Sequence, residues 1–98
     1  MPVHVDLSQA EAQALADVQR QLRKAYVPAP ATAKALGAAR DAATQARRGG
    51  GDARMQLSNA EARAMLDIRR GLRNGERLSA NQAAALTKIR YALEAVQP

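Results

Sequence analysis

The feature that most constrains this chain is one motif written several times. Leu57-Ser58-x-x-Glu61-Ala62-x-Ala64-Met65-x-x-Ile68-Arg69-x-x-Leu72 returns 21 residues later as Leu78-Ser79-x-x-Gln82-Ala83-x-Ala85-Leu86-x-x-Ile89-Arg90-x-x-Leu93, with 7 of 16 positions identical. It also stands 50 residues earlier as Leu7-Ser8-x-x-Glu11-Ala12-x-Ala14-Leu15-x-x-Val18-x-x-x-Leu22, and a worn copy runs over 28–43. The apolar positions recur at helical spacing, so each copy reads as one helix. The expected fold is therefore all-α. It has four helices, arranged as a tandem duplication of an antiparallel helical hairpin, like a four-helix bundle and open to domain exchange.

Local signals place the boundaries. Ser8 with Glu11, Ser58 with Glu61 and Ser79 with Gln82 each form the capping-box pattern that opens a helix. Pro28 ends the first helix, because the residue before a proline avoids helical geometry. Pro30 aligns with the first helical position of its siblings, where proline is favoured. Asn74-Gly75 reads as the end of the third helix, and the fourth runs to about Val96. The stretch from Arg47 to Arg54 contains Gly49-Gly50-Gly51, too costly in backbone entropy for a helix. These signals divide the chain into a disordered lead-in (1–6), hairpin 1 (7–46), a Gly-rich linker (47–54) and hairpin 2 (57–96). The two hairpins together make one domain.

Superposing the copies assigns the faces. Leu15, Leu36, Met65 and Leu86 form an apolar stripe with Val18, Ala39, Ile68 and Ile89, continued by Leu22, Ala43, Leu72 and Leu93. One flank carries small residues, among them Ala14, Ala35, Ala64, Ala85 and Gly71, which suits close helix approach. The opposite flank carries Arg40, Arg69 and Arg90, with Arg23 and Arg73 one turn further on. These five arginines are the candidate partner- or phosphate-binding residues. Their alternative role is structural, with stems lying over the core edge and heads kept wet.

Composition enters where size and charge matter. Leu, Ile, Val and Phe make 17 of 98 residues, below the ~20% level at which a packed core becomes difficult. A 40-residue hairpin cannot bury its own stripe, so the hairpins must pack on one another, within one chain or between chains, and a homo-oligomer is expected. The net charge is +6, from 15 basic and 9 acidic residues, and each half carries +3. That balance suits an acidic protein or nucleic acid as partner. There is no cysteine, and His4 is the single histidine. No triad, metal-ligand cluster or phosphate loop can be assembled, so neither catalysis, a metal nor a cofactor is expected. No apolar run is long enough to span a membrane, and a cytoplasmic location is the default.

Two helical hairpins joined by a linker resemble, at the level of fold, a covalently fused ROP-type dimeric hairpin bundle. That resemblance implies paired RNA loops as a ligand of the helix faces. The residues themselves point first to a small basic protein-binding module (an adaptor, regulator or inhibitor) docking on an acidic surface. The alternative is a nucleic-acid-binding protein that sets its arginine-lined helix faces on phosphates.

Overall fold

A computed structural model describes residues 2–96. Its first departure from expectation lies at the two stretches read as structureless. Val3, Val5 and Leu7 alternate with His4 and Asp6, and Ala53, Met55 and Leu57 alternate with Arg54 and Gln56. Period-two alternation buries one face of a strand. These segments accordingly form β1 (Val3–Leu7) and β2 (Ala53–Leu57), whose six apolar side chains are all buried. They pair antiparallel in the register Val3↔Leu57, Val5↔Met55 and Leu7↔Ala53. On the outer face Asp6 lies opposite Arg54, which donates to it from Nε at 2.9 Å.

The chain is therefore an α+β protein, and the all-α, four-helix-bundle expectation is corrected. So are the 1–6 lead-in and the 47–54 linker. The helices are α1 (Gln9–Gln21), α2 (Pro30–Gly49), α3 (Asn59–Leu66) and α4 (Ala80–Val96), with a 3-10 turn at Ile68–Gly71. Helix α2 runs through Arg47 and Arg48 to Gly49. It stops where Gly50 takes φ 67°, a left-handed conformation that glycine adopts without steric cost, and Gly50 N–H donates to the Ala46 carbonyl at 2.9 Å. Three residues then lead into β2.

All three capping boxes form. The Glu11, Glu61 and Gln82 amides donate to the Ser8, Ser58 and Ser79 hydroxyls at 3.1, 3.1 and 3.2 Å. Their side-chain oxygens accept from the serine amides in return, at 2.9, 2.7 and 2.8 Å. Pro30 opens α2 at its first turn, with no side-chain cap before it. Helix α3 is shorter than expected. It breaks at Asp67, and the chain reaches Leu72 through the 3-10 turn rather than continuing to Asn74.

The apolar stripe is the core. Leu15, Val18, Met65, Ile68, Ile89 and Ala39 are fully enclosed, and Leu36, Leu86, Ala43 and Leu93 are buried. Helix α1 packs on α2 and α4, and α3 packs on the same two helices. Strand β1 lies against α4 and β2 against α2. Each half is thus completed by the other half of the same chain. Of the two arrangements left open for the stripe, cover within one molecule is the one found, which leaves the homo-oligomer without that support. The radius of gyration, 12.5 Å, is that of one packed unit of this length, about 13 Å. Two hairpins held apart by a tether would be larger.

The two repeats are related by an approximate two-fold axis. Val5 pairs with Met55, its own counterpart 50 residues on. At the far ends of α1 and the 3-10 turn, Leu22 bridges Leu72, again counterparts 50 apart. An axis relating the halves must pass through both pairings. One pole of the molecule is the strand pair; the other is the crossing at Leu22 and Leu72. No helix among the described residues is long and apolar enough to cross a membrane.

Candidate functional site

The crossing is built by backbone pairing. Leu22 and Leu72 leave their helical turns in extended conformation, at φ/ψ of −77/148° and −68/149°. Arg23 N–H donates to the Gly71 carbonyl at 2.7 Å, and Arg73 N–H donates to the Gln21 carbonyl at 2.8 Å. These two bonds are images of each other under the repeat. Each chain then turns back, with Tyr26 N–H on the Arg23 carbonyl and Glu76 N–H on that of Arg73, both at 3.0 Å. Gly75 supplies φ 87° in the second turn, the left-handed position that such a turn reserves for glycine.

Side chains break the symmetry. The Tyr26 ring lies over Gly71, so close that a Cβ there would sit 2.8 Å from ring carbons. This gives the mid-motif glycine a specific reason. At the mirror position Gln21 replaces glycine and Glu76 replaces tyrosine. Gln21 Nε2 donates to Glu76 Oε2 at 3.3 Å and to the Arg77 carbonyl at 3.2 Å. Gln82 is buried and its Nε2 donates to Gln21 Oε1 at 2.6 Å and to the Ala14 carbonyl at 2.9 Å. The crossing is tied to α1 and α4 by this polar network, and buried polar groups of this kind need such partners.

These segments carry much of the chain's positive charge. Residues 20–24 hold Arg20, Arg23 and Lys24; residues 69–77 hold Arg69, Arg70, Arg73 and Arg77 with a single acid, Glu76. With Asp17, which Arg20 approaches, and Asp67 beside Arg69 and Arg70, the stretches 17–24 and 67–77 hold seven cations against three acids, +4 of the chain's +6. The other eight basic residues face six acidic ones. Each repeat brings +2 to the crossing, and the bridge joins them. All seven cations are exposed. Arg20 approaches Asp17 only at 4.0 Å, and Arg73 Nε donates to the Leu22 carbonyl at 3.4 Å. Among the described residues the side chains of Arg23, Lys24, Arg69, Arg70 and Arg77 have no hydrogen-bond or ion-pair partner.

The five arginines read from the repeat do not form one stripe. Arg23 and Arg73 flank the crossing, and Arg69 stands beside it. Arg40 lies on α2, where Nη2 donates to Gln19 Oε1 at 3.3 Å. It shares a concavity of about 440 Å³ with Asp17, Arg20 and Arg47. Arg90, its counterpart on α4, is exposed on that helix. The motif alone does not single out Arg20, Lys24, Arg70 and Arg77. Their signal is the equal charge of the two halves, which gains meaning only once the halves are seen to meet.

The opposite pole is chemically different. Lys88 Nζ contacts Glu11 Oε1 at 2.6 Å. This hydrogen bond, with that from the Ser8 backbone, holds the largely buried Glu11 carboxyl below its ordinary value. The Arg54 guanidinium likewise lowers the pKa of Asp6, and Asp6 raises that of Arg54. Cations here are neutralised locally. No group of three His, Asp or Glu side chains among the described residues could hold a metal ion.

No protein family matches the chain, and neither a curated protein nor a solved structure is similar to it. The geometry alone carries the functional reading.

Proposed function

We propose that this protein is a binding module that docks an acidic protein surface on its crossing pole. The observation that carries the reading is the placement of most of the +6 excess, +4, on two segments joined by the Leu22–Leu72 bridge. Exposed guanidinium groups take carboxylates in paired hydrogen bonds, and a concentrated field steers an oppositely charged partner into place. Arginine is also enriched where protein interfaces concentrate their energy.

A protein partner fits this pole better than nucleic acid. Apolar surface from Leu72, Leu78 and Ala83 adjoins the arginines. The ring at the crossing, Tyr26, is half-buried and packed against Gly71, which makes it less open to base stacking than a free aromatic. The exposed Tyr91 is carried eleven residues into α4, roughly 16 Å along the helix from its start.

Titration with poly-glutamate and with duplex DNA and RNA, at low and at about 150 mM salt, tests the proposal. Poly-glutamate is expected to bind at the higher salt. Replacing Arg23 and Arg73 with Gln should weaken it several-fold, while Arg40→Gln and Arg90→Gln leave it unchanged. The opposite result is duplex binding in preference to poly-glutamate, with a log–log salt slope near −0.9 per phosphate neutralised. That would overturn the protein-partner reading.

A further inference from the structure

We infer that the crossing pole holds a shaped groove for an acidic peptide segment bearing one aliphatic side chain, not merely a diffuse cationic surface. The inference rests on the acidic-partner reading and specifies its ligand. A depression of about 370 Å³ opens between the 3-10 turn and the start of α4, lined by Arg69, Leu72, Glu76, Arg77, Leu78 and Ala83. That is near the small end of the size range of ligand pockets, roughly 300–1,000 Å³, with room for an aliphatic side chain and part of the peptide on either side of it.

The lining is divided by chemistry. Leu72 is nearly buried and Leu78 and Ala83 are half-buried, giving an apolar floor. Arg69 and Arg77 are exposed on the rim, without side-chain partners among the described residues. The acid present, Glu76, already accepts a hydrogen bond from Gln21. An aliphatic residue on the floor with carboxylates beside it would satisfy both parts: the floor removes apolar surface from water, and each guanidinium fork receives a carboxylate.

The duplication marks this as a feature of the second repeat. Positions 76–78 are Glu-Arg-Leu, whereas their counterparts 26–28 are Tyr-Val-Pro. In the first repeat the aromatic ring packs down on Gly71 across the axis. The second repeat places no ring there and puts a cation next to a leucine instead. The concavity on α1 and α2 differs again, since Gln13, Asp17 and Gln19 make its lining polar.

The test uses fluorescence anisotropy on the intact protein at about 150 mM salt. One labelled short peptide carries a leucine flanked by aspartates and glutamates; a second has serine for that leucine and the same charge. The leucine peptide is expected to bind roughly tenfold tighter or more, the size of one buried leucine side chain. Ala83→Gln, which projects into the groove, should abolish that difference, and Arg69→Gln with Arg77→Gln should weaken both peptides. Equal affinity for the two peptides would overturn the groove while leaving the acidic-partner reading intact. Failure of both peptides, with duplex RNA or DNA binding instead, would overturn the reading itself. The peptide comparison is made on the unaltered chain, so neither outcome depends on whether a variant folds.

Discussion

At the scale of single residues, two contacts make separable predictions. Alanine in place of glycine ordinarily stabilises a helical turn by up to ~1 kcal/mol. At Gly71 the sign should reverse, because a methyl group would meet the Tyr26 ring at 2.8 Å. Overpacking of this kind costs about 1–3 kcal/mol. Denaturant melts of Gly71→Ala, Tyr26→Ala and the double variant should show strong non-additivity, with Tyr26→Ala relieving much of the Gly71→Ala penalty. Additive effects would mean that the ring does not cover this glycine. The second contact concerns Glu11, whose carboxyl is held low by Lys88 and the Ser8 amide. A depressed folded pKa stabilises the protein above the unfolded value, 4.5. That stability is lost as pH falls through the folded one. Glu11→Gln keeps the capping box, as Gln82 does in α4, and removes only the charge. The variant should be less stable than the parent near neutral pH, and the gap should close as pH falls below about 4. A gap constant with pH would assign the loss to packing.

Among the elements, those with long periodic signals are legible in the sequence and the short ones are not. The stripe from Leu15 to Leu93 repeats often enough to identify the helices and their buried side. The capping pairs identify three helix starts. Strands β1 and β2 each offer only three apolar positions. One follows the first two residues and the other follows three glycines, and neither has a neighbour in sequence to pair with. Their partner lies 50 residues away, which local patterning cannot reveal. Helix α3 reads as too long for a similar reason. Its motif continues smoothly through Ile68 and Leu72, yet the helix gives way at Asp67 to a 3-10 turn that delivers Leu72 to its pairing with Leu22. The strands are integral to the core, so Val5→Asp, which buries a carboxylate without a partner, should cost several kcal/mol. His4→Thr on the open face of the same strand should fall within ~0.5 kcal/mol of the parent. Thermal unfolding of the two variants checks this, and similar losses at both sites would contradict the one-sided ribbon.

For the whole molecule, the two-fold relation decides what the charge can do. Read along the chain, +3 in each half looks like an even spread. The fold sends most of both portions to the same pole and leaves +2 over the rest of the chain, which is why the arginines of the repeat motif are an incomplete guide to the site. Arg40 and Arg90 follow the motif but lie within α2 and α4, where Arg40 reaches Gln19 near the end of α1, whereas Arg70 and Arg77 stand on the segment that the bridge joins. The most direct measurement is an NMR titration of the isotope-labelled protein with the leucine-bearing acidic peptide, following every backbone amide. Shifts should concentrate in residues 22–24 and 69–83, with the strand pair and the Arg40–Arg47 face of α2 unmoved. Shifts centred on Arg40 and Arg47, or spread evenly over all exposed arginines, would contradict a binding site at the crossing.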